Sequence, residues 1–592
     1  MKDFLKMLCA VVCGLLLTGF LGLFLFVGCV GTLVSSDSQP VMPRSGVLNL
    51  DLADVVLGEQ TASDFDAAAL LSGSGSLETV GLFDLVRAIG AAAEDPAVKF
   101  IFLKPDGCSA GISALEELRA ALVKFRESGK AVIAYTENPS TGSYYLASAA
   151  DKVYMSANAG ASPMITGVGS QLFFLGDLLK ELGVNVQLIR HGKYKSAGEM
   201  YIKNSPSPEN LEQNQVMINS IWSSLSEDIA RSRDLSAGQL DRLIDGLQLV
   251  TAGDMVEAGL ADGLMTREQL REKLADLAVE EKFSDVKMIS FKDYITLKVK
   301  PNTKAKQKIA ILYAEGNIVD GKGRQQVAGD HFASLIAKLR EDDAVKAVVL
   351  RVASPGGSVL ASDKIRTEID LLRAEKPVIA SYGDYAASGG YWISNSCDRI
   401  YSDRTTLTGS IGVFSMIPDV SRTVKEKLKV GVASVGSGPH SDMMSLLSPL
   451  DAAETEFMQK SVEIIYDTFL ANVAEGRDMT PEQVDEIAQG RVWTGADALG
   501  IGLVDEIGGL DEALRFAAQA AGDTDLNSWQ VVTFPKAPST LDLLMESLGQ
   551  SHVNDILAGT PFAPIGAAFR NWSVESGDRF MARMPYEVII GF

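Results

Sequence analysis

The chain repeats itself, and this limits its possible folds more than any other feature. EDPAVKFIFLK (Glu94–Lys104) returns as EDDAVKAVVLR (Glu341–Arg351), an offset of 247 from position 94 to position 341. KAVIA (Lys130–Ala134) returns as KPVIA (Lys376–Ala380), and DKVY (Asp151–Tyr154) as DRIY (Asp398–Tyr401). TAGDMVEAGLADGL (Thr251–Leu264) matches TGADALGIGLVDEI (Thr494–Ile507), an offset of 243 from position 251 to position 494. Matches in one order at nearly constant spacing mean two copies of one folding unit. The copies span 45–283 and 307–522, joined by a lysine-rich polar linker, 284–306, around Pro301. An extension, 523–592, follows; from Leu541 it mixes Leu, Phe and Gly with little charge, and reads as a packing or assembly surface.

Within each copy, short β-branched runs alternate with amphipathic stretches. In the second copy Ile309–Tyr313 and Ala347–Val352 read as buried strands. A Gly-rich turn follows, then a helix with Ile365, Ile369 and Leu372 on one face, then a strand at Val378–Ser381. The first copy repeats the pattern with Phe100–Leu103, a helix bearing Leu115, Leu118 and Leu122, and Val132–Tyr135. Strand, helix, strand in register predicts parallel βαβ units, and hence an α/β fold.

Ahead of the first copy, Met7–Val34 is 28 residues without a charge, preceded by Lys2 and Lys6. A membrane-spanning helix needs about 20 apolar residues. The run predicts one N-terminal transmembrane anchor, 1–34, with a cytoplasmic N-terminus and a translocated body. It exceeds the usual apolar core of a cleaved signal peptide. FVGC (Phe26–Cys29) leaves lipid modification at Cys29 open.

Net charge is −22, which argues against a nucleic-acid-coating surface. Three of the five cysteines lie in the apolar run, so Cys108 and Cys397 cannot form a disulfide framework and read as inert thiols. Four histidines without an HExxH pattern give no expectation of a metal site, and nothing points to a cofactor.

In α/β sheets, ligands gather beyond the carboxyl ends of the strands. VASPGGS (Val352–Ser358) and AASGGYW (Ala386–Trp392) both fall there. Facing one another, they would supply a nucleophile, Ser388, and oxyanion donors, the amides of Gly357 and Gly389. Serine needs a base, and a lysine serves once burial lowers its pKa toward neutrality. The candidate is Lys195 in HGKYKSAGEM (His191–Met200); spacing alone does not separate it from Lys193.

RVASPGGSV, DYAASGGYWIS, TLTGSIGVF (Thr406–Phe414) and GKYKSA together resemble signal peptide peptidases of the long duplicated type, the bacterial protease IV family. The resemblance covers both copies but not the tail beyond 541. It implies tandem Clp protease/crotonase-like domains and a membrane-anchored serine peptidase with a Ser/Lys dyad. Ser388 would be the nucleophile and Lys195 the general base, with Ser410 hydrogen-bonded to the lysine and Gly357 in the oxyanion hole. It further implies a homotetrameric bowl at the bacterial inner membrane, its body periplasmic. Substrates would be cleaved signal peptides and other apolar unfolded peptides.

By the repeat alignment Ser388 falls opposite Thr141 or Gly142 in PSTGSYY, and Lys195 opposite Pro439 and His440. Each copy therefore keeps one half of the dyad. Rival readings are few. GCSAG (Gly107–Gly111) fits a nucleophile elbow at Ser109. His440 is an alternative base, and His191 a polar neighbour of the lysine loop. A non-catalytic crotonase-like scaffold and a crotonase-type acyl-CoA enzyme are the other function classes.

Overall fold

The computed structural model describes residues 14, 40–53, 55–61, 78–323, 326–536, 579–584 and 590–591. The chain divides into two compact units, Met1–Arg44 and Ser45–Phe592, and both repeat copies lie in the second. Among the described residues no helix is long and apolar enough to cross a membrane. The expected anchor lies outside them, Gly14 excepted.

Each copy builds its own parallel sheet. The first runs Met288–Ser290, Gly46–Asp51, Val98–Lys104, Val132–Thr136, Lys152–Ser156, Gly263–Met265. The second has the matching order Gln530–Phe534, Lys308–Glu315, Val345–Ser354, Val378–Ala387, with Arg399–Ser402 and Glu506–Ile507 beyond. Leu407–Gly409 pairs parallel with the end of Val378–Ala387 and antiparallel with Val492–Thr494. Two short outer strands shift the boundaries read from sequence. The expected linker contributes the strand Met288–Ser290 and the helix Phe291–Lys298, which buries Phe291 and Tyr294. Gln530–Phe534, beyond the expected second copy, holds the same place in the other sheet.

The second sheet is buried on both faces, as helix-covered parallel sheets are. Leu312, Val348, Leu350, Val378 and Ala380 point to one side, where Ile365, Ile369 and Leu372 of the helix Val359–Arg373 cover them. Ile309, Ile311, Val349 and Ile379 point to the other, under Leu514 and Ala517 of the helix Leu510–Ala520. This alternation is the period of two that a strand imposes on its side chains.

A third sheet joins the copies. Its order is Val327–Ala328, Ile318–Val319, Gly356–Ser358, Met581–Arg583, Phe414–Asp419, Asn185–Arg190. Asn185–Arg190 of the first copy runs antiparallel to Phe414–Asp419 of the second. Buried ion pairs tie the copies as well. Arg351, 1% exposed, meets Glu59 at 2.7 Å and Glu117 at 2.6 Å. Arg404 meets Glu116 and Asp228.

Candidate active site

Ser388 stands where the strand Val378–Ala387 gives way to the short helix Gly389–Trp392. Its backbone, at φ 54° and ψ −108°, is in a region non-glycine residues rarely occupy, which holds the side chain at a sharp strand-to-helix turn. The Ser388 amide donates to Gly409 O at 2.8 Å, anchoring the turn to the neighbouring strand.

Lys195 reaches Ser388 by way of the inter-copy strand. After Asn185–Arg190, the His191 amide donates to Val413 O at 3.1 Å, and the chain then turns into the second copy. Several contacts fix this loop. The Tyr194 amide donates to Gln489 O at 2.9 Å, and Arg190 reaches Lys195 O at 2.6 Å. Buried Glu199 binds Arg190 and the Ser207 hydroxyl. Gly490, at φ +79°, lies against Lys195, where an added methyl would sit 2.5 Å from Lys195 Cβ. Only glycine suits that place.

Lys195, Ser388 and Ser410 are each 0% exposed. Lys195 Nζ lies 2.8 Å from Ser388 Oγ, 2.9 Å from Ser410 Oγ and 3.0 Å from Ser410 O. No ion pair reaches Lys195 among the described residues. Burial disfavours the ammonium and holds its pKa well below the ordinary 10.5. A neutral amine has two N–H groups and one lone pair. With the N–H groups on Ser410 Oγ and the Ser410 carbonyl, the lone pair faces the Ser388 hydroxyl. That is the geometry of a base accepting a proton from a nucleophile.

The expected oxyanion donors also converge. A methyl on Gly389 would lie 3.0 Å from Gly357 N and 2.9 Å from Ala582 O. One on Gly356 would lie 2.6 Å from Gly389 N and 2.1 Å from Ala582 O. The Gly357 and Gly389 amides thus lie near one carbonyl oxygen, and that carbonyl belongs to the tail. Met581–Arg583 pairs antiparallel with Gly356–Ser358, Ala582 opposite Gly357. The Val359 amide donates to Phe580 O and the Met584 amide to Pro355 O, which makes Gly357–Ala582 a hydrogen-bonded pair of the ladder. The sequence read the tail as a packing or assembly surface. Instead this part of it is a fully buried strand on the site's own edge, with Met581 and Ala582 0% exposed.

The other candidates lie elsewhere. Lys193 and Ser109 are exposed, and Ser109 bridges to Val56. His440 Nδ1 is bound to Glu454 at 3.0 Å, in an exposed segment. His191 stacks on Tyr466 with ring centres 4.0 Å apart. Burial pushes the Cys108 thiol up to about 12 and the Cys397 thiol higher still, so both stay protonated. Opposite Ser388 in the first copy, the helix starts align Ser140 rather than Thr141 or Gly142. Ser140 is the cap of Thr141–Ala147, as Ser388 is of Gly389–Trp392.

The model of Peptidase family S49 matches residues 124–280 and 370–523, one segment in each copy, holding Lys195 in the first and Ser388 and Ser410 in the second. The chain is 36% identical over 506 residues to Protease 4 of Haemophilus influenzae, covering 82% of this chain and 81% of that protein. It is 36% identical over 533 residues to Protease 4 of Salmonella typhi, covering 87% and 84%. It is 32% identical over 470 residues to the chloroplastic serine protease SPPA of Arabidopsis thaliana, covering 78% and 68%.

Proposed function

Given that this chain belongs to peptidase family S49 and is a serine peptidase, we propose that it cleaves peptides with a dyad split between its two copies, Ser388 from the second and Lys195 from the first. The observation that carries this reading is the 2.8 Å approach of Lys195 Nζ to Ser388 Oγ with both residues 0% exposed. Ser388 Oγ attacks the peptide carbonyl while its proton passes to Lys195 Nζ. The Gly357 and Gly389 amides hold the oxyanion that forms. Lys195 then gives the proton to the leaving amine as the acyl-enzyme forms. In the second half, Lys195 takes a proton from the attacking water and returns it to Ser388. Ser410 positions the amine.

The peptide lies as an antiparallel strand on Gly356–Ser358, with the attacked carbonyl where Ala582 O now lies, once Met581–Met584 has left that edge. Recognition through backbone ladders requires an extended, unfolded substrate. The finer reading is an enzyme anchored in the bacterial inner membrane by residues 1–34, its body periplasmic. It works there as a homotetramer on cleaved signal peptides and similar apolar segments. The apolar run Met7–Val34 and the motifs shared with signal peptide peptidases support it.

A fluorophosphonate probe tests the assignment. Labelling is expected to map to Ser388, to vanish in Ser388→Ala and to fall steeply in Lys195→Ala. Label on Ser109, or full hydrolysis by Lys195→Ala, would overturn it.

A further inference from the structure

The Lys195 loop and the Ser410 turn belong to different copies, yet the amine has to meet Ser410 and Ser388 at hydrogen-bond distance. A side chain outside the dyad spans that gap. Gln213 lies near the start of the helix Pro208–Ser232 and is 1% exposed. Its Nε2 donates to Tyr194 O at 3.3 Å and to Ser196 Oγ at 3.0 Å, the residues on either side of Lys195. Its Oε1 accepts from the amide of Val492, at 3.1 Å, in the second copy. The orientation of the side-chain amide is fixed, because turning it over would set Nε2 against an N–H and Oε1 against a carbonyl oxygen. One planar group thus uses both its N–H bonds and its carbonyl across the seam between the copies.

These bonds close a ring. Val492 follows Arg491, whose carbonyl accepts from the Ser410 amide at 2.7 Å. Ser410 in turn receives Lys195 Nζ at its hydroxyl, 2.9 Å away, and at its carbonyl, 3.0 Å away. The path runs from Gln213 through the lysine loop, Lys195, Ser410 and Arg491 to Val492 and back, without passing through Ser388. The helix that carries Gln213 is tied down at two further points. Its cap, Ser207, binds Glu199 at 2.9 Å, and Ser220 meets Thr494 of the second copy at 2.8 Å.

The duplication supplies a comparison. The counterpart helix, Ala452–Arg477, is capped by Asp451 as Pro208–Ser232 is by Ser207. Counted equally from each cap, Gln213 falls opposite Phe457, which is 61% exposed and has no polar group to offer. The copy that lacks the lysine also lacks the glutamine.

We propose that Gln213 is a positioning residue for the general base, a strap that holds the Lys195 loop of one copy in register with the Ser410 turn of the other. It touches no reacting atom, and its role rests on the dyad proposed above. Cutting the strap lets the lysine loop drift from Ser410 and admits water to the amine. A misplacement of about 1 Å costs about 10²-fold in rate. A hydrated amine also regains the ordinary affinity of lysine for its proton.

Two substitutions in the full chain test this. Gln213→Asn keeps the amide but is one methylene too short to reach both sides, whereas Gln213→Met keeps the length without the hydrogen bonds. Fluorophosphonate labelling of Ser388, with its rate counted per labelled site, is followed across pH, and a fluorogenic peptide gives kcat and KM. Both variants are expected to label about 10²-fold more slowly, with the midpoint moved to higher pH. Both are expected to lower kcat with KM held within about twofold. Gln215→Met, on the exposed side of the same helix, is expected to match the wild type. A helix-stabilising role alone would reduce the number of sites that label and leave the rate and midpoint of the remainder unchanged, and that result would overturn the proposal. So would a wild-type rate and midpoint in Gln213→Asn, which decides alone if Gln213→Met does not fold. Lys195→Met, run in parallel, separates the two claims. If it too keeps the wild-type profile the dyad fails; if it loses the profile while the Gln213 variants keep it, the strap alone fails.

Discussion

The two copies meet the same design problem at the same place and solve it differently. In each, a serine opens the helix that follows a strand, Ser388 directly after Val378–Ala387 and Ser140 a short turn after Val132–Thr136. Ser140 sits at φ −79° and spends its hydroxyl in a capping box with Ser143. Ser388 sits at φ 54°, makes no cap bond, and turns its hydroxyl to Lys195. What separates a structural serine from a nucleophile here is backbone conformation and the company of a desolvated amine, not residue type. The lysine comes from the copy that lacks the strained serine. Duplication thus freed each copy to keep only half of the chemistry, at the cost of requiring a fixed relation between the two.

Five substitutions probe that contrast. The largest effect is expected from Ser388→Ala, a loss of about 10⁶-fold in kcat. Its counterpart Ser140→Ala is expected to leave the rate alone and cost about 1 kcal/mol of stability as a lost helix cap. Peptide hydrolysis and denaturant melts read the pair; a rate loss in Ser140→Ala would blur the distinction. Next, Lys195→Met is expected to lower the rate by about 10²–10⁴-fold, the range of a general base. It is also expected to raise stability below the amine's folded pKa. The sign follows from linkage: the unfolded chain keeps the lysine proton up to 10.5, while the folded chain releases it well below. Wild-type stability therefore rises with pH through that window, and the methionine variant loses the rise.

The relation between copies is probed by Arg351→Met. It strands Glu59 and Glu117 in a buried seam, at an expected cost of about 3–5 kcal/mol. Denaturant titration measures it, and a loss below 1 kcal/mol would mean the seam does not hold the copies together. Among the site residues the smallest loss of rate is expected from Ser410→Ala, about tenfold in kcat for one positioning hydrogen bond. KM is expected to stay unchanged; a rise in KM instead would assign Ser410 to substrate binding.

Much of this was legible in the chain before its coordinates. The β-branched runs around Ile309, Ala347 and Val378 became central strands because their sequence is apolar on both faces, a local property. Ser388 and Gly357 stood out because small residues at strand ends have few purposes. Less local features stayed hidden. Nothing in VNVQLI announces that it pairs with FSMIPD across the copies, since strand pairing depends on partners far apart in the chain. Met581–Arg583 and Met288–Ser290 are three residues each, too short for any periodicity to show. One residue more lies between the helix start and the DKVY motif of the first copy than between the helix start and DRIY of the second. Counting back from those motifs therefore placed Thr141 or Gly142 opposite Ser388, where the helix caps align Ser140.

The state of the Lys195 amine is the hinge of the account, and the pH dependence of fluorophosphonate labelling at Ser388 measures it. The rate is expected to climb to a plateau with an apparent pKa well below 10.5, and to become slow and flat in Lys195→Met. A midpoint at the ordinary lysine value, or a profile that the substitution leaves in place, would contradict it.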